Sequence, residues 1–293
     1  MDITLDHKFD RNKYVVNRRF NCSGVPYEIG DYINIGGNAI VHECSSSRSS
    51  DEFAIKIQIK NGGNRGERFK QEMDIHQRIN HPHLVSFIGS GSLSAYYTTR
   101  QGRKKYVDLD YVIMDKCDQS LQEYIKNGRK DIPYSEYIGQ FRGLVGALEE
   151  LHKVAVHRDI KPSNILIKGG VWKLSDFGLC AYIDPDERND FTPTNEKIGP
   201  ANWMSPESNS KFAGYDTVIG AYSDVFQLAS VFWMIVNQKH PTGILSKEDW
   251  AGPDSLFDVL YRALQHCPTR RPDNGAHFSN QIVKAIEKAA HSS

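Results

Sequence analysis

The hydrophobic repeat changes near Met114, and that change restricts the folds open to the chain. Before it, short apolar runs have strand spacing: "YINI" from Tyr32, "AIVHEC" from Ala39, "FAIKIQI" from Phe53, "LVSFIG" from Leu84 and "YVDLDYVIM" from Tyr106. The serine-rich "SSSRSSDE" and the polar "TTRQGRKK" between them predict a turn and an exposed hairpin end. One helical stretch interrupts the strands, Arg65 to Asn80, with Phe69, Met73, Ile75 and Ile79 as an imperfect apolar stripe. After Met114 the spacing becomes helical: Ile138, Phe141, Leu144, Val145, Leu148 and Leu151 share one face, with Ser135 as the expected N-cap. "ILIKGGVWKL" then predicts two short strands joined by Gly169 and Gly170. A strand-rich part followed by a helix-rich part predicts an α+β fold in two lobes. Residues 1–26, polar and basic without a clear repeat, are predicted to be a flexible or loosely docked extension.

Charge and cysteine usage exclude several classes of function. Lys plus Arg number 36 and Asp plus Glu number 36, a balance that offers neither a nucleic-acid footprint nor a polybasic membrane anchor. The five cysteines are widely spaced and form no C-x-x-C, which argues for reduced thiols in a cytoplasmic setting. The first twenty residues contain no apolar core of signal-peptide length. The longest apolar run, "LASVFWMIV" from Leu228, is far short of the roughly 20 residues a spanning helix needs, and predicts a buried core helix.

The residues that carry chemistry lie close together. "HRDIKPSN" runs from His157 to Asn164 and "DFG" from Asp176 to Gly178, on either side of the expected hairpin. "FAIK" ends upstream in Lys56. An acid and an amide, Asp176 and Asn164, are the oxygen donors a hard divalent cation prefers. Asp159 is a second acid, and Lys161, two residues on, points to the same side in extended backbone. A lysine on an apolar strand is costly to bury unless paired.

In this order and spacing, with "SPE" at 205–207 and "RRP" at 270–272, these motifs resemble the eukaryotic-type protein kinase superfamily, Ser/Thr branch, over about Tyr27 to Pro272. The resemblance implies a bilobal protein-kinase-like fold, with a small, mostly antiparallel β N-lobe carrying one αC helix and a larger helical C-lobe. The implied boundaries are an extension over 1–26, the N-lobe over 27–114, a hinge over 115–118, the C-lobe over 119–285 and a tail over 286–293. It further implies ATP as phosphoryl donor with Mg2+, or Mn2+ in its place. Asp159 would orient the acceptor hydroxyl and take its proton, and Lys161 would neutralise the γ-phosphate. Lys56 would hold the α- and β-phosphates and pair with Glu72, which stands nine residues before His81 of "HP". Asn164 and Asp176 would bind the metal. Met114 takes the gatekeeper place, Asp115 and Cys117 the hinge, and Val41, Ala54 and Leu166 the faces of adenine. Glu207 would pair with Arg271, and Asp224 would anchor the catalytic loop. His157 would pack and not act as a base.

The chain departs from the pattern in three places. "NIGGNAIV" aligns with the glycine-rich phosphate loop so that Asn34 and Ala39 replace the outer glycines, leaving Gly36 in register and Gly37 beside it. Asn34 is expected to tolerate a left-handed backbone, and Ala39 to add a methyl where the loop turns, giving a weaker cover. Pro200 stands where the Ser/Thr branch usually has the threonine that bridges the catalytic Asp and Lys. His76 replaces an apolar residue on the αC helix. Arg158 normally grips an activation-loop phosphate; Glu196 is expected to stand in for it, with Thr192 and Thr194 as alternative autophosphorylation sites. The expected function is phosphoryl transfer to Ser/Thr hydroxyls of protein substrates, with autophosphorylation. A pseudokinase acting as a nucleotide-binding scaffold, motivated by Pro200 and the depleted loop, is the alternative. A small-molecule kinase of the aminoglycoside-phosphotransferase type, which typically reads H-G-D, fits less well.

Overall fold

The structure, a computed structural model, describes residues 1–8, 10–59, 64–128, 131–184, 186 and 202–291. The chain forms two compact units, one of Met1–Gln77 and Ser86–Cys117, the other of Arg78–Val85 and Asp118–Ser293.

The first unit holds strands β1 (Asp2–Asp6), β2 (Lys13–Asn17), β3 (Arg19–Cys22), β4 (Val25–Ile35), β5 (Ala39–Ser46) and β6 (Ser49–Gln58), helix α1 (Arg65–Arg78), then β7 (Phe87–Thr98) and β8 (Lys104–Asp115). All eight strands join one sheet in the order β1-β2-β7-β8-β6-β5-β4-β3, and each neighbouring pair is antiparallel. The turn and hairpin end predicted from the polar stretches sit between β5 and β6 and between β7 and β8.

Residues 1–26 are not a loose extension. They supply three strands, and Leu5, Tyr14, Val16 and Cys22 enter the same buried cluster as Ile29, Ile40, Ile55, Ile57 and Ile113. The alternation is there, "KYVVN" being exposed-buried-half-buried-buried-exposed, but it is too short and too mixed with charge to stand out in the sequence.

The second unit contains β9 (Gln119–Ser120), α2 (Leu121–Lys126), α3 (Tyr134–Leu151), β10 (Ala155–Val156), β11 (Ile165–Lys168), β12 (Val171–Leu174), β13 (Ala181–Tyr182), α4 (Pro206–Phe212), α5 (Ala221–Asn237), α6 (Asp254–Ala263) and α7 (Gly275–His291). The stripe on α3 is buried as expected, with Tyr137 fully inside where Ile138 is half-buried. Its N-cap is Pro133, not Ser135, because the fixed proline φ of −67° starts the helix two residues early and leaves Ser135 in the first turn. Gly169 and Gly170 take φ of 55° and 82°, the pair of left-handed residues a two-residue hairpin requires. The "LASVFWMIV" run is the buried middle of α5, where the Phe141 and Phe232 rings stack at 3.8 Å. Residues 286–291, expected as a tail, continue α7, with Ala289 buried. Among the described residues no helix is long and apolar enough to cross a membrane.

Candidate active site

In the first unit the chemistry begins on β6. Lys56 lies opposite Val41 on β5 and Val112 on β8, and Ala54 lies opposite Met114. Directly paired residues share a face. Val41, Ala54, Lys56 and Met114 therefore line one side of the sheet, while Phe53, Ile55 and Ile57 fill the core on the other. The Lys56 ammonium meets the carboxylate of Glu72 on α1 at 2.5 Å, with both side chains mostly buried. This is the pairing its cost of burial demands. His76, one turn further along α1, is also buried and sets its ring against Phe87 at 5.5 Å, so packing accounts for the polar residue there.

The loop from Asn34 to Val41 is a tight hairpin. Asn34 pairs with Val41 and Ile35 with Ile40, and the Gly36 amide donates to the Ala39 carbonyl at 2.9 Å. Asn34 is extended, not left-handed; its side-chain oxygen accepts from the Ile35 amide at 2.7 Å. Ala39 already belongs to β5, and its methyl is buried and not at the exposed tip. Neither Gly36 nor Gly37 has a positive φ. A methyl on Gly36 would find only the Ala39 carbonyl, at 3.7 Å, and one on Gly37 would meet nothing within 4 Å. The protein's own packing does not ask for glycine here. Bare backbone at an open tip suits a ligand that approaches the chain closely, as a phosphate does.

In the second unit the loop after α3 is held from beneath. Asp224, fully buried in the first turn of α5, accepts hydrogen bonds from the backbone amides of His157 at 2.6 Å and Arg158 at 2.7 Å. His152 donates to the same carboxylate from Nε2 at 2.9 Å and accepts from the Gly275 amide at Nδ1, 2.8 Å, which fixes its tautomer. Gln227, one turn along α5, accepts from the Ile160 amide and donates to the Arg158 carbonyl. Asp224 was expected from the family resemblance; His152 and Gln227 were not. The spacing of Gln227 three residues after Asp224, on one helical face, was the available signal.

So anchored, the loop presents Asp159, which is 5 % exposed. Its Oδ2 accepts from Lys161 Nζ at 2.8 Å and from Asn164 Nδ2 at 2.8 Å. Its Oδ1 is buried with no hydrogen-bond partner among the described residues. Burial raises the Asp159 carboxyl above the ordinary range, the Lys161 ammonium pulls it part of the way back, and the Asp176 charge adds to the rise. His157 packs: its ring is fully buried against Phe177, and Nε2 donates to the Ser175 carbonyl at 3.1 Å. The hairpin closes with Ile165 opposite Leu174, and the Ser175 amide extends the ladder to the Asn164 carbonyl at 2.9 Å. Asp176 thus follows one residue after the partner of Asn164. Arg158 and Asp176 both hold positive φ, 69° and 64°, an uncommon conformation for residues with a side chain that clusters at functional sites.

Beyond the loop, Glu207 and Arg271 form a buried two-pronged ion pair at 2.9 and 3.1 Å, and Ser223 adds a hydrogen bond at 2.6 Å. Residues 27–288 match the family model described as the protein kinase domain.

The chain belongs to the protein kinase family.

Its relatives include the serine/threonine-protein kinase PknB of Mycobacterium tuberculosis, 27% identical over 89% of this chain and 40% of that protein. A probable serine/threonine-protein kinase PknB of Bifidobacterium longum is 30% identical over 75% of this chain and 31% of its own length. A probable serine/threonine-protein kinase of Clostridium perfringens, CPE1738, is 26% identical over 90% of this chain and 38% of its own. The chain spans about a third of the length of the curated relatives it matches.

For this protein kinase the donor set can be tested against the cation the family implies. Mg2+ binds through one or two protein oxygens and takes its other ligands from water and phosphate. Asn164 commits its amide nitrogen to Asp159 and to the Asp159 carbonyl, which orients the amide and leaves its side-chain oxygen with one long contact, 3.5 Å from Ser163. Asp176 is exposed. Among the described residues no group of three or more His, Cys, Asp or Glu forms a closed cage. Two oxygen donors without a cage fit Mg2+ and not a structural transition metal. Leu166 is half-buried on β11, and Asp115 and Cys117 close the first unit at the end of β8. Thr192, Thr194, Glu196 and Pro200 lie outside the described residues.

Proposed function

We propose that the chain is an ATP- and Mg2+-dependent kinase that transfers the γ-phosphoryl group to Ser/Thr hydroxyls of protein substrates and to itself. The observation that carries this reading is Asp159 Oδ1, a buried carboxylate oxygen left open while Lys161 and Asn164 hold its partner oxygen. An oxygen so placed can accept the hydrogen bond of an incoming hydroxyl, orient it and take its proton late in the transfer. Lys161 compensates negative charge beside that hydroxyl. Lys56, paired with Glu72, binds the α- and β-phosphates, and the Gly36–Gly37 backbone covers them. Val41, Ala54, Met114 and Leu166 take the adenine, with backbone groups of Asp115 and Cys117 on its edge. Asn164 and Asp176 hold the metal, which when bound neutralises charge on the phosphates. The pseudokinase reading gains nothing from these features, since Lys56 is paired with Glu72 and Asp159 with Lys161 and Asn164.

Incubation with Mg2+ and radiolabelled ATP, with a basic protein as acceptor, tests the reading. Labelled phosphoserine and phosphothreonine are expected on acid hydrolysis; phosphotyrosine alone would overturn the choice of acceptor. A second expectation concerns Gly36. Gly36→Ala is expected to weaken Mg-ATP binding roughly tenfold, about 1.4 kcal/mol. The thermal midpoint should stay unchanged or rise slightly, because alanine at this φ restricts the unfolded chain. Calorimetric titration beside a melting curve checks both halves.

A further inference from the structure

The β1–β2 hairpin lies ahead of the region that matches the kinase family, which begins at residue 27. It packs on the face of the sheet opposite to Lys56: Leu5, Tyr14 and Val16 join Ile40, Ile57 and Ile59 in the core, and β2 pairs with β7 through Val15 and Val16. Its connection is tied internally, with the Asp10 amide on the His7 carbonyl at 2.8 Å and the Asn12 amide on Asp10 Oδ1 at 2.9 Å. From this connection one polar side chain enters the core. His7 is 0 % exposed, and its Nε2 donates to the carbonyl of Gly36 at 3.0 Å. That carbonyl belongs to the residue whose bare backbone faces the open tip. The Asn38 carbonyl is held as well, by the Ile59 amide at 3.0 Å.

We propose that the N-terminal hairpin is a brace for the phosphate-binding loop, with His7 as the positioning residue that fixes the Gly36 peptide for the nucleotide. The inference rests on the nucleotide reading above. The outer glycines of the loop are replaced here, and a hydrogen bond from behind supplies order without occupying the side that carries Lys56. A buried imidazole left without its acceptor is costly, so the contact ties the Gly36 peptide to the core.

The test uses the full chain with two substitutions. His7→Phe keeps a ring but removes the donor; His7→Gln keeps a donor at nearly the same reach. H7F is expected to speed amide hydrogen exchange at Gly36 and Ile59 at least about tenfold in nucleotide-free protein. It is also expected to raise KM for ATP about fivefold to tenfold, with kcat within about twofold. H7Q is expected to stay within about twofold of the unsubstituted chain in all three. Should H7F fail to fold, H7L, smaller and equally without a donor, takes its place. Unchanged loop exchange in the donor-free variant overturns the inference whatever the activity, and so does equal damage in H7Q. A chain that binds no Mg-ATP in calorimetry overturns the nucleotide reading instead, and the exchange measurement still decides the brace.

Discussion

Asp159→Asn is expected to lower kcat for phosphoryl transfer by about 10² to 10⁴, the range typical of a lost general base, while Mg-ATP affinity stays within about threefold. The substitution is isosteric, so the loop keeps its anchors: the amides of His157 and Arg158 still reach Asp224, and Ile160 still reaches Gln227. What changes is Oδ1, the open oxygen, together with the negative charge that Lys161 now pairs at 2.8 Å. A split between turnover and binding separates this from general damage to the fold. Because burial raises the Asp159 carboxyl, the acid limb of kcat/KM, which reports free protein, is expected above the usual Asp range. Protonation on the acid side removes the acceptor, so activity falls as pH falls. Turnover by the Asn variant at the rate of the unsubstituted chain would remove Asp159 from the reaction.

The second large effect is structural in origin. Asp224→Ala would strip the acceptor from three buried donors at once, the amides of His157 and Arg158 and the His152 ring. Each unsatisfied donor costs about 1–3 kcal/mol, and removing one partner from a buried charged network costs about 3–5 kcal/mol. For a unit of this size each kcal/mol moves the midpoint by about 2–4 °C, so a fall of roughly 6–20 °C is expected by differential scanning calorimetry. Turnover should drop as well, since the peptide bearing Asp159 loses its support. A midpoint within about 2 °C of the unsubstituted chain would show that α5 does not hold the loop.

Much of the candidate site was legible because its residues sit in short local patterns with fixed chemistry. Lys56 on an apolar strand demanded a carboxylate, and Glu72 is there. The hairpin between Ile165 and Leu174 was readable from two glycines, and its closure sets Asp176 beside the partner of Asn164. Glu207 and Arg271, 64 residues apart, were paired through the family resemblance and not through anything local. Other features had no local signal. His152 looks like the end of a helix, and its role exists only once Gly275 and Asp224 approach it from two other helices. Ser135 looked like a cap, but Pro133 two residues earlier had already fixed the backbone.

By itself the sequence determined the α+β class, the change from strand to helix spacing near Met114, and which side chains could be candidates for phosphate, metal and hydroxyl. Those properties follow from side-chain chemistry and from repeats of two or about 3.6 residues, which are encoded over a few neighbours. Tertiary structure alone decided that the first residues join the sheet, that His7 is buried against Gly36, and that one oxygen of Asp159 is left open while the other is held. Each of these depends on desolvation and hydrogen bonding between segments distant in the chain, and no local pattern carries that information.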